Sequence, residues 1–163
     1  MNYKLKTYEE IEKISDDLRN LERIIVTTNG SFDILHSAHV KLLERARNKG
    51  DSLIVLLNSD DSIRKLKGDK RPILGEKDRA YLLSGLSCVN YVVIFSEDNP
   101  LRLLEIIKPH IHIKGGSYIL EKIKEERELL ERWGGKLKLF SLEDGYSSTR
   151  VIEEILRRYN AKN

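Results

Sequence analysis

The sequence is poor in cysteine and has no long apolar run. The 163-residue chain contains one cysteine, Cys88, so an intramolecular disulfide is excluded. Its neighbours Leu86 and Val89 are apolar, which indicates a buried structural thiol instead of a reactive one. No apolar run is long enough to span a membrane, and the N-terminus lacks the apolar core of a secretion signal. These absences predict a cytoplasmic protein without a membrane partner.

The chain also lacks a block of charge of one sign, an internal repeat and a low-complexity tract. Its 29 basic and 26 acidic residues are interleaved and leave a net charge of +3. This distribution argues against a nucleic-acid surface but suits anionic ligands such as nucleotides and sugar phosphates. The length predicts a single domain over residues 1–163, with a leading helix in 1–22 and an α/β core in 23–158.

Short apolar runs alternate with longer amphipathic segments along the chain. The runs predict five buried strands at Ile24–Thr28, Leu53–Leu57, Tyr91–Phe95, Ile111–Lys114 and Leu137–Phe140. The amphipathic segments predict helices over Tyr8–Leu21, Val40–Ala46, Asp78–Leu86, Pro100–Ile107, Glu121–Trp133 and Ser148–Tyr159. This order predicts an α/β fold with a Rossmann-like doubly wound sheet of about five parallel strands and flanking helices. Ligands of such sheets bind beyond the carboxyl ends of the strands, at the switch point.

Two histidines follow the first predicted strand. Gly30 permits a tight turn and the approach of a phosphate to backbone N–H groups. His36 and His39 are three residues apart at the start of a helix, whose N-terminus favours an anion. Two imidazoles there can donate hydrogen bonds to a triphosphate and stabilise the charge of a pentacoordinate phosphorus. The segment Thr28–His39 therefore predicts a nucleoside triphosphate site.

The histidine pair has two other interpretations. One is structural, with one histidine capping the helix and the other partly exposed. The second is metal ligation, because the same spacing can bind zinc, but no third ligand is evident nearby in the chain. Two further histidines, His110 and His112, alternate with isoleucines in the fourth predicted strand and are interpreted as structural. No metal-ligating residues are therefore predicted.

Hydroxyl side chains open the last predicted helix. Ser147, Ser148 and Thr149 supply hydroxyls and backbone N–H groups at its first turn, and Arg150 supplies a planar fork for phosphate. An ordinary N-cap is the alternative, because serine and threonine are favoured there. Three successive hydroxyl residues followed by an arginine exceed what a cap requires, so the segment Asp144–Arg150 favours phosphate binding.

Two other segments combine glycine with basic residues. The segment Lys65–Pro72 predicts a basic loop that can close over a triphosphate, and a solvated charged loop is its alternative. The segment Lys114–Tyr118 contains two glycines at the end of the fourth predicted strand. They would let a base or sugar approach the backbone closely, and a plain turn is the alternative.

Together these segments resemble the His-x-Gly-His nucleotidyltransferases, the cytidylyltransferase-like superfamily. Within it the chain is similar to the adenylyltransferase half of the ADP-heptose synthases. The resemblance extends from Leu5 to Ile155 and includes Thr28–His36, Gly50–Asp51, Asn58–Asp60, Leu66–Gly68, Arg71–Ile73, Asp78–Arg79, Val92–Phe95, Lys114–Gly116 and Gly145–Thr149. The kinase domain that is often fused to this half has no counterpart in the sequence, which predicts a stand-alone version.

The resemblance implies a reaction. A sugar 1-phosphate oxygen attacks the α-phosphorus of a nucleoside triphosphate in line, and pyrophosphate leaves without a covalent enzyme intermediate. The implied substrates are ATP and heptose 1-phosphate, the implied product is an ADP-heptose used for lipopolysaccharide core, and Mg²⁺ would bind through the nucleotide phosphates. A homodimer is also implied. A CTP-dependent cytidylyltransferase of the glycerol-3-phosphate type and a non-catalytic nucleotide-binding protein are the alternatives.

The resemblance also implies roles for individual residues. His36, His39 and Lys67 match catalytic residues that contact the phosphates. Ser31 and Phe32 match positions that bind phosphate through the backbone, and Lys114 and Gly115 match the segment beside the base and ribose. The complete implied nucleotide-binding set is Asn29, Gly30, Ser31, Phe32, Asn58, Arg71, Lys114, Gly115, Ser147, Ser148 and Thr149.

Three positions depart from the family pattern. Ala38 replaces the glycine between the histidines, and its methyl group is expected to face the nucleotide, so Ala38→Gly is expected to tighten nucleotide binding. Ser31 replaces a cysteine found in many relatives, which matters little for a backbone contact. Ser117 stands where relatives often have an aspartate, so an acidic contact to the ligand is missing.

Overall fold

The chain folds as a parallel sheet covered by helices on both faces. The computed structural model describes residues 3–115, 120–141 and 147–160. The segments 116–119 and 142–146, which hold Gly116, Ser117, Tyr118 and Asp144–Tyr146, lie outside the described residues. The strands are β1 Leu5–Lys6, β2 Ile25–Gly30, β3 Ser52–Asn58, β4 Tyr91–Phe95, β5 Ile111–Gly115 and β6 Lys136–Phe140. The predicted Rossmann-like α/β fold is confirmed.

All neighbouring strands are parallel, in the order β1-β4-β3-β2-β5-β6. The five predicted strands are present, β4 with the predicted bounds and the others with ends that differ by at most two residues. The sixth, β1, pairs its two residues with Val92 and Val93 of β4. A two-residue strand carries no periodic signal, so the sequence pattern did not predict it.

The last strand departs from the prediction of a buried strand. β6 lies at the open edge of the sheet and pairs on one side only, with β5. None of its five residues is buried, and Leu139 is 44% exposed. Its lysines, Lys136 and Lys138, suit this position, because charged side chains on an edge strand oppose pairing with another chain.

The helices are α1 Tyr8–Asn20, α2 Ser37–Arg47, α3 Asp60–Lys67, α4 Glu76–Ser84, α5 Leu101–Ile107, α6 Leu120–Glu131 and α7 Ser148–Asn160. Threonine at position 7 and glutamate at position 10 have the spacing that predicts a capping box at the start of α1. The box is present, with Thr7 accepting from the backbone of Glu10 and the Glu10 carboxylate accepting from Thr7 N at 2.8 Å. Pro100 is the N-cap of α5 instead of lying in its first turn. None of the described helices is both long and apolar enough to cross a membrane.

Two apolar cores lie on opposite faces of the sheet. One joins α2 and α4 to side chains of β2, β3 and β4, and the half-buried Cys88 packs against it. Burial raises the pKa of the Cys88 thiol, in agreement with a structural role. The other core joins α1, α5 and α6 to the opposite face. The chain order reverses between β2 and β5, so the switch point lies at the carboxyl ends of these two strands.

Candidate active site

His36 and His39 stack on each other at the switch point. β2 ends at Gly30, and His36 is the N-cap of α2. The two ring centroids are 3.8 Å apart with an angle of 21° between the planes. The backbone N–H of His36 donates to Nδ1 of His39 at 3.4 Å. The two rings therefore lie on the same side of the helix start, as the three-residue spacing predicts.

Both imidazoles are neutral at pH 7. Burial, followed by the charges of His36 and Lys67, lowers the pKa of His39 to about 4. Burial also lowers the pKa of His36. Each neutral ring carries one N–H donor. An arriving phosphate would add negative charge and favour protonation of the pair.

The turn between β2 and α2 is formed by non-glycine residues in the left-handed region. Phe32 has φ 43° and Ile34 has φ 52°, which is uncommon for such side chains and occurs often at functional sites. The buried Phe32 ring meets His39 edge-on with centroids 5.4 Å apart. A Cβ atom added to Gly30 would lie 3.0 Å from the Phe32 ring. Gly30 is thus needed for ring packing, while the positive φ values of the turn lie at Phe32 and Ile34.

Ala38 does not line an open cleft. It is 3% exposed and belongs to the buried face of α2. Its methyl group therefore packs among protein atoms, and the expectation that it faces the nucleotide space is wrong. Alanine also favours a helix more than glycine does. Removing the methyl group should loosen α2 instead of opening the site.

Lys67 lies in the last turn of α3, not in a loop. The predicted basic loop over 65–72 begins only at Gly68, which ends the helix with φ 87°. Lys67 is an exposed residue, and its Nζ donates to Ser31 Oγ at 2.9 Å. Loss of hydration around this ammonium, followed by the charge of Arg71, lowers its pKa. The structure thereby brings the predicted Lys67 and Ser31 together.

Asp33 anchors the remainder of the basic segment. Its carboxylate is buried and accepts from Arg71 Nε at 2.7 Å, Ile73 N at 2.9 Å and Leu74 N at 3.0 Å. Burial alone would raise the pKa of Asp33, but these hydrogen bonds outweigh it and lower the pKa. Arg71 is thus a fixed part of the site, and its predicted contact with phosphate stays a prediction.

Arg79 is a site residue for which sequence reasoning predicted no role. Its guanidinium is fully buried and donates to Ser31 O at 2.7 Å, Asn58 O at 2.8 Å and Asp60 Oδ1 at 2.7 Å. It thereby ties the ends of β2 and β3 together. No local signal marks this role, because the carbonyl acceptors lie far away in the chain. The amide of Asn58 donates to Ser62 Oγ at 2.9 Å, which fixes the start of α3.

At the end of β5, Lys114 reaches across to β2. Its Nζ donates to Asn29 Oδ1 at 2.8 Å and to Glu126 Oε1 at 2.7 Å. Gly115 is the last residue of the strand, and an added Cβ would lie 2.6 Å from Leu42 of α2. The glycine is therefore required by the close packing of α2 on the sheet.

The start of α7 reaches the same site. The Ser148 hydroxyl donates to the carbonyl of Asp33, while Ser147 Oγ accepts from Arg150 N at 3.1 Å. Ser147 is therefore an N-cap in this structure, as the alternative interpretation states. Thr149 is exposed. Phosphate binding by these three hydroxyls stays a prediction.

The other two histidines are structural, as predicted. His110 Nδ1 accepts from Ile25 N at 3.0 Å, and the fully buried His112 has Nδ1 2.8 Å from Thr27 Oγ1. Over residues 3–115, 120–141 and 147–160, no group of three His, Cys, Asp or Glu side chains could hold a metal ion.

The family is identified by comparison with known proteins. The cytidylyltransferase-like family model matches residues 27–154, and the chain belongs to this family. Among curated relatives it is similar to the bifunctional protein HldE of Pelobacter propionicus, with 54% identity over 83% of this chain and 28% of that protein. The HldE of Aliarcobacter butzleri is 47% identical over 99% of this chain and 33% of its own length. The chain thus spans about a third of these relatives.

Two solved structures share the fold. The lipopolysaccharide core biosynthesis protein from Thermoplasma volcanium aligns with a TM-score of 0.62 at 27% identity, over 77% of this chain and 99% of the other. Pantoate-beta-alanine ligase from Francisella tularensis, solved with beta-gamma ATP and beta-alanine, aligns with a TM-score of 0.64 over 98% of this chain and 81% of the other. At 13% identity this second likeness concerns the fold alone.

Proposed function

We propose that the protein is a nucleotidyltransferase that joins the AMP part of ATP to heptose 1-phosphate and releases pyrophosphate. The observation that carries this proposal is the stacked, neutral pair His36 and His39 at the helix start beside β2. The similarity to the HldE proteins supports ATP and a heptose phosphate, since the sequence resembles the adenylyltransferase half of ADP-heptose synthases.

The site residues suit an in-line displacement that depends on positioning and charge. His36 and His39 would donate hydrogen bonds to the α and β phosphates, where negative charge accumulates as the leaving bond lengthens. Lys67 would leave Ser31 for the triphosphate, because an ammonium favours a phosphate over a neutral hydroxyl. The N–H groups at the start of α2 would complete the anion site. The attacking oxygen is already an ionised phosphate oxygen, so no general base is needed.

We propose that Mg²⁺ binds at this site through the nucleotide. The buried carboxylate of Asp33 already accepts hydrogen bonds from Arg71, Ile73 and Leu74, so it is committed to the protein. The ion would therefore be held mainly by oxygens of the triphosphate. When bound, it would supply neutralisation of the phosphate charge.

A direct experiment measures pyrophosphate release from ATP and Mg²⁺ with a panel of sugar 1-phosphates. Release with heptose 1-phosphate and formation of an ADP-sugar is the expected result. No release with any acceptor, combined with retained nucleotide binding, would identify a non-catalytic binding protein.

The choice of base is tested separately. Thermal shift with ATP and with CTP, each with Mg²⁺, should show the larger stabilisation by ATP. A larger increase in melting temperature with CTP would contradict the assignment of ATP as the substrate and favour a cytidylyltransferase for a polyol phosphate.

We further propose that the protein is a cytoplasmic homodimer. In the described residues no side chain of α7 is buried, and Ile155, Leu156 and Tyr159 are 49%, 51% and 79% exposed. Three exposed large apolar side chains on one helix support coverage of this helix by a second copy. Sedimentation of the wild type should give a dimer, and Tyr159→Ser should weaken it. A monomeric wild type at micromolar concentration would overturn this proposal.

A further inference from the structure

Glu126 presents a buried carboxylate directly behind Lys114. It lies on α6 and is 2% exposed. Its Oε1 accepts from Lys114 Nζ at 2.7 Å, and the same Nζ donates to Asn29 Oδ1 at 2.8 Å. Lys114 and Asn29 belong to the predicted nucleotide set, whereas Glu126 has no role in the proposed reaction.

The surroundings make Glu126 the charge partner of Lys114. The fully buried His112 lies with Nε2 3.7 Å from Glu126 Oε2. Burial, followed by the charge of Lys114, holds the pKa of His112 well below its usual range, so this imidazole is neutral at pH 7. A buried carboxylate requires a cationic or hydrogen-bonding partner, and the ammonium of Lys114 supplies the cation.

This arrangement fixes two side chains near the carboxyl ends of β2 and β5. An ammonium has three N–H donors, and within the described residues two are used by Asn29 and Glu126. The third donor is left for an oxygen of the nucleotide. Asn29 Oδ1 accepts from Lys114, so this contact uses the amide oxygen of Asn29 and neither of its two amide N–H donors. The Lys114 side chain is 14% exposed, so a ligand can reach it.

A lysine side chain is long and flexible, so its position before the ligand arrives affects affinity. The hydrogen bond to the buried Glu126 carboxylate restricts the conformations of the Lys114 side chain before the ligand binds. We propose that Glu126 is a positioning residue for the nucleoside triphosphate, which holds Lys114 and, through it, Asn29 in the orientation that receives the nucleotide. This inference rests on the proposed function, because it assumes that the site takes a nucleoside triphosphate.

A positioning role and a purely electrostatic role of Glu126 predict opposite changes in ATP affinity when Glu126 is substituted, so the two can be distinguished. Glu126→Gln removes a negative charge near a polyanion, so a purely electrostatic effect would tighten ATP binding. A positioning role predicts weaker binding, because the amide holds the ammonium less firmly than a carboxylate does. We expect Glu126→Gln to raise the KM and Kd for ATP roughly tenfold with little change in kcat.

The matched control is Glu125→Gln, which makes the same change at an exposed position of α6. It should leave the KM, the Kd and the melting temperature unchanged. The double variant Lys114→Met/Glu126→Leu replaces the buried ion pair by apolar side chains and should recover stability relative to the single variants. The ATP affinity of the double variant should stay as low as that of Lys114→Met, because both substitutions remove the same Lys114–Glu126 ion pair and their effects do not add.

The measurements are calorimetric binding of ATP and CTP, pyrophosphate release and thermal unfolding. Unchanged or tighter ATP binding in Glu126→Gln would overturn the inference, as would recovery of affinity along with stability in the double variant. A wild type that binds nucleotide without releasing pyrophosphate contradicts the proposed function alone, because the binding comparison still tests Glu126. A wild type that binds neither nucleotide overturns both.

Discussion

At the scale of single residues, the site depends on how much hydration each polar group has lost. The His39 ring contacts the rings of Phe32 and His36, and burial lowers the pKa of both histidines and keeps both rings neutral. Lys67 is likewise less basic than a free lysine. A phosphate that bound beside these groups would stabilise their protonated forms, because its negative charge would compensate for the hydration that they have lost.

His39→Gln tests the role of the pair. Glutamine keeps a donor of similar reach but cannot take up a proton, so kcat should fall about 100-fold or more. The melting temperature should change by only a few degrees, since the ring is partly exposed. Steady-state pyrophosphate release and thermal unfolding check this, with Glu44→Gln on the exposed face of α2 as control. Unchanged turnover would refute the role assigned to the histidines.

The low pKa of His39 predicts proton uptake when the triphosphate binds. The ring is neutral above a pKa of about 4, and phosphate oxygens stabilise its protonated form, so binding raises this pKa. Affinity for ATP should therefore increase roughly tenfold as the pH falls from 7 to 5. Calorimetry in two buffers of different ionisation enthalpy measures the protons taken up. His39→Gln corrects for protonation of ATP itself and should show a smaller pH dependence.

At the scale of elements, α2 supports the site through its buried face. Ala38, Leu42 and Leu43 are buried, and Leu42 covers Gly115 of β5. The helix start therefore cannot shift relative to the strand ends without disturbing this packing. This explains why a departure from the family motif at position 38 is compatible with an intact site.

Ala38→Gly is expected to lower stability without improving nucleotide binding. Glycine in a helix costs about 1 kcal/mol relative to alanine, and the buried methyl contacts are lost as well. Urea unfolding measures the first effect and calorimetric titration with ATP the second. Ala46→Gly makes the same change in the buried part of α2 and should destabilise at least as much. Clearly tighter ATP binding in the Ala38 variant would contradict this assignment.

At the scale of the whole molecule, buried polar groups join segments that are distant in sequence. Asp33 connects the turn after β2 with residues 71–74 and with the start of α7. Arg79 connects the same turn with the end of β3. The site is therefore a product of the entire sheet, and its geometry and its stability are coupled.

Arg79→Lys should destabilise the protein by about 3 kcal/mol and also raise the KM for ATP. The ammonium of lysine cannot donate to all the backbone carbonyls that the planar Arg79 guanidinium contacts, so some buried carbonyls would lose their hydrogen-bond donor. Chemical unfolding and steady-state kinetics measure the two effects. Arg132→Lys at an exposed position is the control and should change neither quantity. Full stability in Arg79→Lys would show that the carbonyls find other donors.

Much of the fold was predictable because it depends on local patterns. β3 is a largely apolar run whose residues are all buried in the sheet. The capping box of α1 can be recognised from the spacing of Thr7 and Glu10. The helix α3 was not among the predicted helices, although its ends carry recognisable signals. Ser59 precedes Asp60 and Asp61 at its start, and lysines lie in its last turn. The edge position of β6 was not predictable, because its apolar alternation resembles that of a half-buried strand.

The sequence by itself determined the parallel α/β sheet, the position of the histidine pair after β2 and the resemblance to nucleotidyltransferases. Periodicity, caps and motif spacing act over a few residues, so they can be recognised without coordinates. Only the tertiary structure decided that Lys67 meets Ser31, that Arg79 joins two strand ends and that Glu126 lies behind Lys114. These contacts join residues that the sheet brings together from separate segments, and side-chain reach and burial, not local pattern, determine them.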